Sequence, residues 1–122
     1  MVDMKTTTVI RVLDHSRSPY AKLTQVGVNE VTLRDALLAP RCQANRERTL
    51  KQQYEQCEKT GRIDNFRVAS GRKAGEFQGA HYNDSDIYKW LEAASYVLAQ
   101  EPMPELQERV RRLVDEVAAA QE

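Results

Sequence analysis

Five side chains suited to binding a polyhydroxylated ligand gather where a glycine-rich stretch runs into an amphipathic pattern. The stretch reads GEFQGAHYNDSDIYKWLEAASYVL over residues 75–98. Ionised carboxylates are strong acceptors for hydroxyl groups, and an aromatic ring offers a flat apolar face. The candidate substrate-binding residues are therefore His81, Tyr82, Asp84, Asp86 and Trp90.

Each candidate also has a purely structural interpretation. Asn83 or Asp84 could cap a helix that begins here, and acids in its first turn suit the positive end of the helix dipole. Trp90 lies on the apolar stripe of the predicted helix, where a tryptophan usually joins the core. His81 and Tyr82 fall in the preceding loop, and loops over a rigid scaffold are where binding residues concentrate.

Composition limits the function classes that the chain can serve. The 122 residues are enough for one small domain, and the 18 basic and 18 acidic side chains cancel. Binding to nucleic acid requires a basic surplus that neutralises phosphates, so we expect no nucleic-acid partner. No apolar run resembles a signal peptide or a membrane span, which predicts a cytoplasmic protein with no membrane partner.

Cys42 and Cys57 match neither a disulfide framework nor a metal motif. If one helix carries both, they lie too far apart to bridge. We interpret both as small buried or half-buried hydrophobic residues in a reducing compartment, and we expect no metal or other cofactor in this chain.

The residue pattern predicts a β-containing head followed by helices. The β-branched runs at 6–13, 22–28 and 31–33 are typical of strands. Pro40 suits a helix opening and Gly61 its end, with Leu50, Tyr54 and Cys57 as a narrow apolar stripe.

After this first helix, the glycine-rich segment 61–83 reads as a long irregular connector, which is often functional. The next helix is predicted from Asp84 to the Glu101–Pro102 step. Its apolar face comprises Ile87, Trp90, Leu91, Ala94 and Leu98.

Pro104 opens a last helix, which the short loop before it should fold back as a hairpin. Its apolar stripe comprises Leu106, Val110, Leu113, Val114 and Val117. The pattern runs to the last residue without a cap, which suggests a truncated part of a longer protein.

Three segments together resemble a known enzyme family. They read NRERTLKQQYEQCEKTGRIDNFRVASG, GEFQGAHYNDSDIYKWLEAASYVLA and PELQERVRRLVDEVAAAQ. In this order they resemble the start of the catalytic domain of glycoside hydrolase family 127, which includes β-L-arabinofuranosidases. The resemblance runs from about Val31 to Glu122, and GRIDNF followed by NDSDIYKWLEA is its most specific part.

The resemblance implies a mainly α fold, in which helical hairpins form the first part of an (α/α)6 barrel. It divides the chain into a head, residues 1–30, and a partial barrel segment, residues 31–122. The implied parent activity is the hydrolysis of β-L-arabinofuranosides or related glycans. A glycan substrate would then require the rest of the barrel, supplied by a longer chain or by a complementing one.

The same resemblance places the family's catalytic groups elsewhere. It implies a retaining enzyme with a cysteine nucleophile held on zinc, and a separate glutamate as acid/base. These residues lie beyond the matched segment, so Cys42 and Cys57 receive no catalytic or metal role. We therefore expect the 122-residue chain to be inactive by itself.

A different class of function stays open. The chain could be a non-catalytic helical interaction module whose uncovered apolar faces dock a partner or a second copy of the chain. A neighbouring reading frame that continues the barrel would favour the enzyme segment, whereas unrelated neighbours would favour the module.

Overall fold

The computed structural model describes residues 8–121 and is mainly helical. A 3-10 turn, Val28–Glu30, precedes five α-helices, and a π-helical turn, Asn45–Thr49, joins the first two of them. The α-helices are α1 (Leu38–Ala44), α2 (Leu50–Lys59), α3 (Arg62–Ala69), α4 (Asp84–Gln100) and α5 (Pro104–Ala119). Helix α4 contacts α2, α3 and α5, so it is the central element of the packing.

The head differs from the prediction, because residues 8–37 contain no strand. Backbone amides in the head pair with side-chain amides instead of forming a sheet ladder. Asn29 Oδ1 accepts from the Ile10 amide at 2.9 Å, and Gln25 Oε1 accepts from the amides of Val12 and Leu13 at 3.0 and 2.8 Å. These three donors are therefore satisfied without a neighbouring strand. The part of the first predicted strand before residue 8 lies outside the described residues.

The predicted end of the first helical region at Gly61 is confirmed. Gly61 has φ 77°, a left-handed conformation that favours glycine. The Gln78 side chain also packs closely here, so a Cβ atom at this position would lie 2.5 Å from Gln78 Oε1 and would displace that side chain. The backbone consequently turns sharply and begins α3 at the next residue.

Helix α3 corrects the prediction of an irregular connector over 61–83. The segment contains two turns of helix that bury Ile63, Asn65 and Phe66. Only its later part, from Ser70 to Asn83, is irregular. Short amphipathic segments next to glycines carry little local signal, and α3 depends on its packing against α2, α4 and α5.

Helices α4 and α5 begin and end close to their predicted positions. Ile87, Trp90 and Ala94 are buried as expected, and Val97 joins them, whereas Leu91 and Leu98 are half-buried. On α5 the prediction is wrong for Val114, which is 47% exposed. The predicted side-chain cap is also wrong, because no side-chain hydrogen bond caps α4 at Asn83.

One apolar cluster holds the four later helices together. It comprises Leu50, Cys57, Ile63, Phe66, Ile87, Trp90, Ala94, Val97, Leu106 and Leu113. Full burial of a large aliphatic side chain contributes about 1.5–3 kcal/mol relative to exposure, so this cluster is the main source of stability.

Arg67 joins three helices on one flank of this core. Its guanidinium forms two 2.8 Å hydrogen bonds with Glu58 of α2, one of 2.8 Å with Asp64 and one of 3.2 Å with Glu116 of α5. These hydrogen bonds raise the pKa of Arg67, and the bond with Glu58 has the largest effect. A bidentate arginine in a network fixes geometry more firmly than an isolated surface pair does.

Asn65 attaches the irregular connector to the core. Its side chain is the only buried polar one among the described residues. Its Oδ1 accepts from the Gln78 amide at 2.9 Å, and its Nδ2 donates to the Gln78 carbonyl at 3.0 Å. The side chain thus pairs with the connector as a neighbouring strand would, which sets where the chain enters α4.

Replacing Asn65 with alanine is expected to destabilise the fold by about 1–3 kcal/mol, since both hydrogen bonds to Gln78 are lost inside a packed region. Chemical denaturation would measure the change. Asn83→Ala is the matched control, because no hydrogen bond of the Asn83 side chain is present among residues 8–121. An Asn65→Ala protein as stable as the control would contradict the role given to Asn65.

The Arg67 network also predicts how stability changes with pH. Hydrogen bonds from Lys73 and Arg67 hold the pKa of Asp64 below its ordinary value of 3.8. A carboxyl whose pKa is lowered on folding stabilises the fold above its unfolded pKa, and this contribution is lost as pH falls through the folded pKa.

Asp64→Asn should therefore lower the free energy of unfolding at neutral pH by about 1 kcal/mol or less, since the pair is partly exposed. The difference from the wild type should shrink as pH falls below 3.8. Urea denaturation across this range would test it, with Asp115→Asn on the exposed face of α5 as control. A pH-independent difference would contradict the assignment.

Candidate functional site

An open polar groove of about 730 Å³ lies between α2 and α4. Helix α2 supplies the side-chain amides of Gln52 and Gln56, and α4 supplies Asp86 and Lys89. Arg62, at the start of α3, lies at one end. Amide groups both donate and accept hydrogen bonds, so such a lining suits a neutral hydroxylated ligand.

An ion pair organises the polar side of this groove. Arg62 Nε lies 2.8 Å from Asp86 Oδ2, and Lys89 Nζ lies 3.6 Å from Asp86 Oδ1. The hydrogen bond from Arg62 holds the pKa of Asp86 below its usual value. The start of α3 is thereby tied to the first turn of α4.

Trp90 forms the apolar floor of the groove. Its side chain is only 3% exposed, and Nε1 donates to the Leu50 carbonyl at 2.9 Å. The Tyr54 ring packs against it with centroids 5.1 Å apart. The structural interpretation of Trp90 as a core residue therefore holds, although the residue also lines the groove.

The five predicted binding residues do not converge on one surface. Asp86 and Trp90 are one turn apart on α4 and line the groove. Asp84 lies two residues before Asp86, on a different face, and lines a separate pocket with Tyr88. Alternate residues on a helix point in nearly opposite directions, so Asp84 and Asp86 cannot act as one pair of carboxylates.

His81 and Tyr82 lie at the outer end of the connector. Both are exposed, Tyr82 by 66%, and their rings pack edge to face with centroids 5.3 Å apart. Their arrangement leaves both side chains accessible to a ligand or a partner, away from the groove and the pocket described above.

Sequence reasoning missed Gln52 and Gln56 as groove residues. Their spacing of one helical turn places both on one side of α2, but glutamines on a charged helix are ordinary solvent-facing residues. Their significance depends on the approach of α4, which no local pattern reveals.

The two cysteines occupy different environments and are both free. Cys57 is buried beside the groove, as predicted, and burial raises the pKa of its thiol. Cys42 is exposed on α1, which corrects the expectation that it is buried or half-buried. Among residues 8–121, no group of three or more His, Cys, Asp or Glu side chains is placed to hold a metal ion.

The chain belongs to a family of glycoside hydrolase catalytic domains. The family described as Beta-L-arabinofuranosidase, GH127 catalytic domain, matches residues 30–122. The mainly α fold predicted as the first hairpins of an (α/α)6 barrel is confirmed by the structural neighbours in this family.

Similar proteins carry the same enzyme name. A non-reducing end β-L-arabinofuranosidase from Bifidobacterium longum subsp. longum is 47% identical over 64 residues, which cover 52% of this chain and 10% of that protein. The crystal structure of a GH127 β-L-arabinofuranosidase from Geobacillus stearothermophilus T6 matches with a TM-score of 0.72 and 31% identity, over 75% of this chain and 16% of the other. A solved GH127 β-arabinofuranosidase matches with a TM-score of 0.69 and 35% identity, over 78% and 15%.

The chain thus spans about a tenth to a sixth of the length of these relatives. None of the helices described between residues 8 and 121 has both the length and the apolar character that crossing a membrane requires.

The contrast between the two cysteines gives a direct test of the groove. A thiol reagent should modify Cys42 fast and Cys57 slowly, because burial and a raised pKa both suppress the reactive thiolate. Kinetic labelling of the native protein would resolve the two phases, and Cys42→Ala should remove the fast one. Equal rates for both thiols in the folded protein would contradict the packing of α2 against α4.

Proposed function

We propose that this chain is the N-terminal segment of a GH127 catalytic barrel. The complete barrel hydrolyses β-L-arabinofuranosides or related glycans. The proposal is carried by the family match over residues 30–122. It is supported by the β-L-arabinofuranosidase activity of the relatives from Bifidobacterium and Geobacillus.

Within that barrel, we assign the segment a role in shaping and binding rather than in bond cleavage. The amides and the Arg62–Asp86 pair offer donors and acceptors for hydroxyl groups along the groove, and Trp90 provides its apolar floor. Exposed His81 and Tyr82 are further candidates for contact with a glycan. The proposal assigns no metal, nucleophile or acid/base residue to this chain.

Cleavage of a glycosidic bond by the two-carboxylate route needs a pair of acids flanking the scissile bond at a defined separation. The carboxylates of the junction do not offer such a pair. Asp84 and Asp86 line different cavities, and Asp86 is paired with Arg62. The cysteine nucleophile and the acid/base glutamate that the family resemblance implies also lie beyond this segment, so the isolated chain is expected to be inactive.

A chimera tests the proposal directly. In it, residues 30–122 replace the aligned segment of the Geobacillus β-L-arabinofuranosidase. We expect the chimera to hydrolyse 4-nitrophenyl β-L-arabinofuranoside, whereas the isolated chain gives no turnover above buffer. The unmodified Geobacillus enzyme is the positive control.

A chimera that folds with the circular dichroism and melting behaviour of the parent enzyme, yet has no activity, would contradict the proposal. If the chimera does not fold, the isolated chain is co-expressed with the Geobacillus enzyme lacking that segment. Failure of the two pieces to restore activity would then count against the proposal as well.

The second candidate function is the helical interaction module. Tyr20 and Leu23 in the head favour it, because they are 88% and 86% exposed. A chain that serves only as an interaction module would form an inactive chimera and would associate with a partner or with a second copy of itself. The chimera experiment therefore distinguishes the two functions.

A further inference from the structure

A second pocket, of about 210 Å³, lies on the other side of α4 from the polar groove. Phe77 of the connector and Tyr88 of α4 line it with their half-exposed rings, and Phe66 contributes from below. Its polar side chains are Asp84, Gln121 and Asn65, the last of which is already paired with Gln78. Helices α3, α4 and α5 and the connector all contribute, so the pocket is built by the tertiary fold and not by one helix end.

Asp84 is the unusual member of this lining. Its carboxylate forms no hydrogen bond or ion pair among residues 8–121, and Oδ1 is closed off from water without a partner. Asp86, two residues later, is paired with Arg62. A buried carboxylate oxygen that its own fold leaves unpaired is costly, and a ligand hydroxyl group that donates to it would offset that cost.

The accessible rings of Phe77 and Tyr88 determine what kind of ligand would fit beside the Asp84 carboxylate. Phe66 and Tyr88 pack edge to face, with centroids 6.0 Å apart, which fixes the orientation of the Tyr88 ring. Phe77 is 49% exposed and Tyr88 is 50% exposed, so each ring keeps an accessible surface. An aromatic surface covers the C–H face of a sugar ring, while a carboxylate and an amide accept from and donate to its hydroxyl groups.

We propose that Asp84, Phe77 and Tyr88 form a binding site for one neutral sugar unit, separate from the groove between α2 and α4. The inference rests on the proposed function for its ligand class. Asp84 accepts hydrogen bonds from the sugar hydroxyl groups after a small rotation of its side chain, and the ring of Phe77 or Tyr88 packs on the sugar face.

The attachment of the connector supports this role. Phe77 directly precedes Gln78, whose backbone is held by the two hydrogen bonds with Asn65. The position of the Phe77 ring is thereby tied to α3 before any ligand arrives. A site whose backbone is fixed in advance loses less conformational freedom on binding.

The test is a nuclear magnetic resonance titration of the isotope-labelled chain with methyl β-L-arabinofuranoside. We expect saturable shifts of the amides of Phe77, Asp84, Tyr88 and Gln121. Asp84→Asn should weaken binding about tenfold or more, because it removes charge-assisted hydrogen bonds. Glu92→Gln, a matched change at an exposed carboxylate elsewhere on α4, should leave binding unchanged. Glycerol at equal concentration controls for a non-specific polyol effect.

Stability provides an independent readout of the same residue. An Asp84 that serves the fold would lower the melting temperature strongly when it is replaced. One kept for a ligand should lower it only slightly in Asp84→Asn, by the loss of a negative charge in the first turn of α4. A large fall in the melting temperature of Asp84→Asn would overturn the assignment.

Three titration results would also overturn the inference: no saturable shifts, equal binding by wild type and Asp84→Asn, or shifts confined to groove residues such as Gln52 and Arg62. Each leaves the chimera experiment unaffected. Conversely, an inactive folded chimera would count against the proposed function while the titration still decides whether the pocket binds sugar.

Discussion

The pairing of the Asn65 side chain with the backbone of Gln78 is the constraint on which the arrangement of the later helices depends. The segment between α3 and α4 has three glycines and no regular structure between Ser70 and Asn83. Without an attachment, such a segment would leave the direction of α4 undetermined. Two hydrogen bonds to one residue of the segment, next to the close approach of Gln78 to Gly61, fix its path.

This constraint explains why GRIDNF is dense in structural roles. Gly61 allows the turn, Arg62 pairs with α4, Ile63 and Phe66 enter the core, and Asn65 holds the connector. Asp64 joins the network around Arg67. The different faces of α3, which has only two turns, thus contact all of its neighbouring helices. A substitution in GRIDNF should therefore disturb both the groove and the pocket on the two sides of α4.

The sequence was sufficient for elements whose signals are local. The proline at 104, the glycine at 61 and the apolar period of α4 predicted boundaries and a buried face that the structure confirms. Helix α3 could not be predicted in this way, because it depends on packing against α2, α4 and α5 and on the pairing of Arg67 with Glu58 and Glu116 of neighbouring helices. The strands predicted in the head are absent from residues 8–37, where the side chains of Asn29 and Gln25 accept from backbone amides in place of a ladder.

The candidate site shows the same division between features set by local sequence and features set by tertiary packing. All five candidate residues lie on or beside the first turns of α4, and their role in binding stays a prediction. The separation of Asp86 in the groove from Asp84 in the pocket follows from helical geometry, which their spacing in the sequence already contains. The partners Arg62, Phe77 and Gln52, however, reach the site only through tertiary packing.

Native-state hydrogen exchange at the Gln78 amide tests the central role of the Asn65 pairing most directly. Protection of this amide at a level comparable to amides within α3, and its loss in Asn65→Ala, is the result that the structure predicts. Exchange of the Gln78 amide as fast as that of an unbonded loop amide, in the folded wild-type chain, would contradict it.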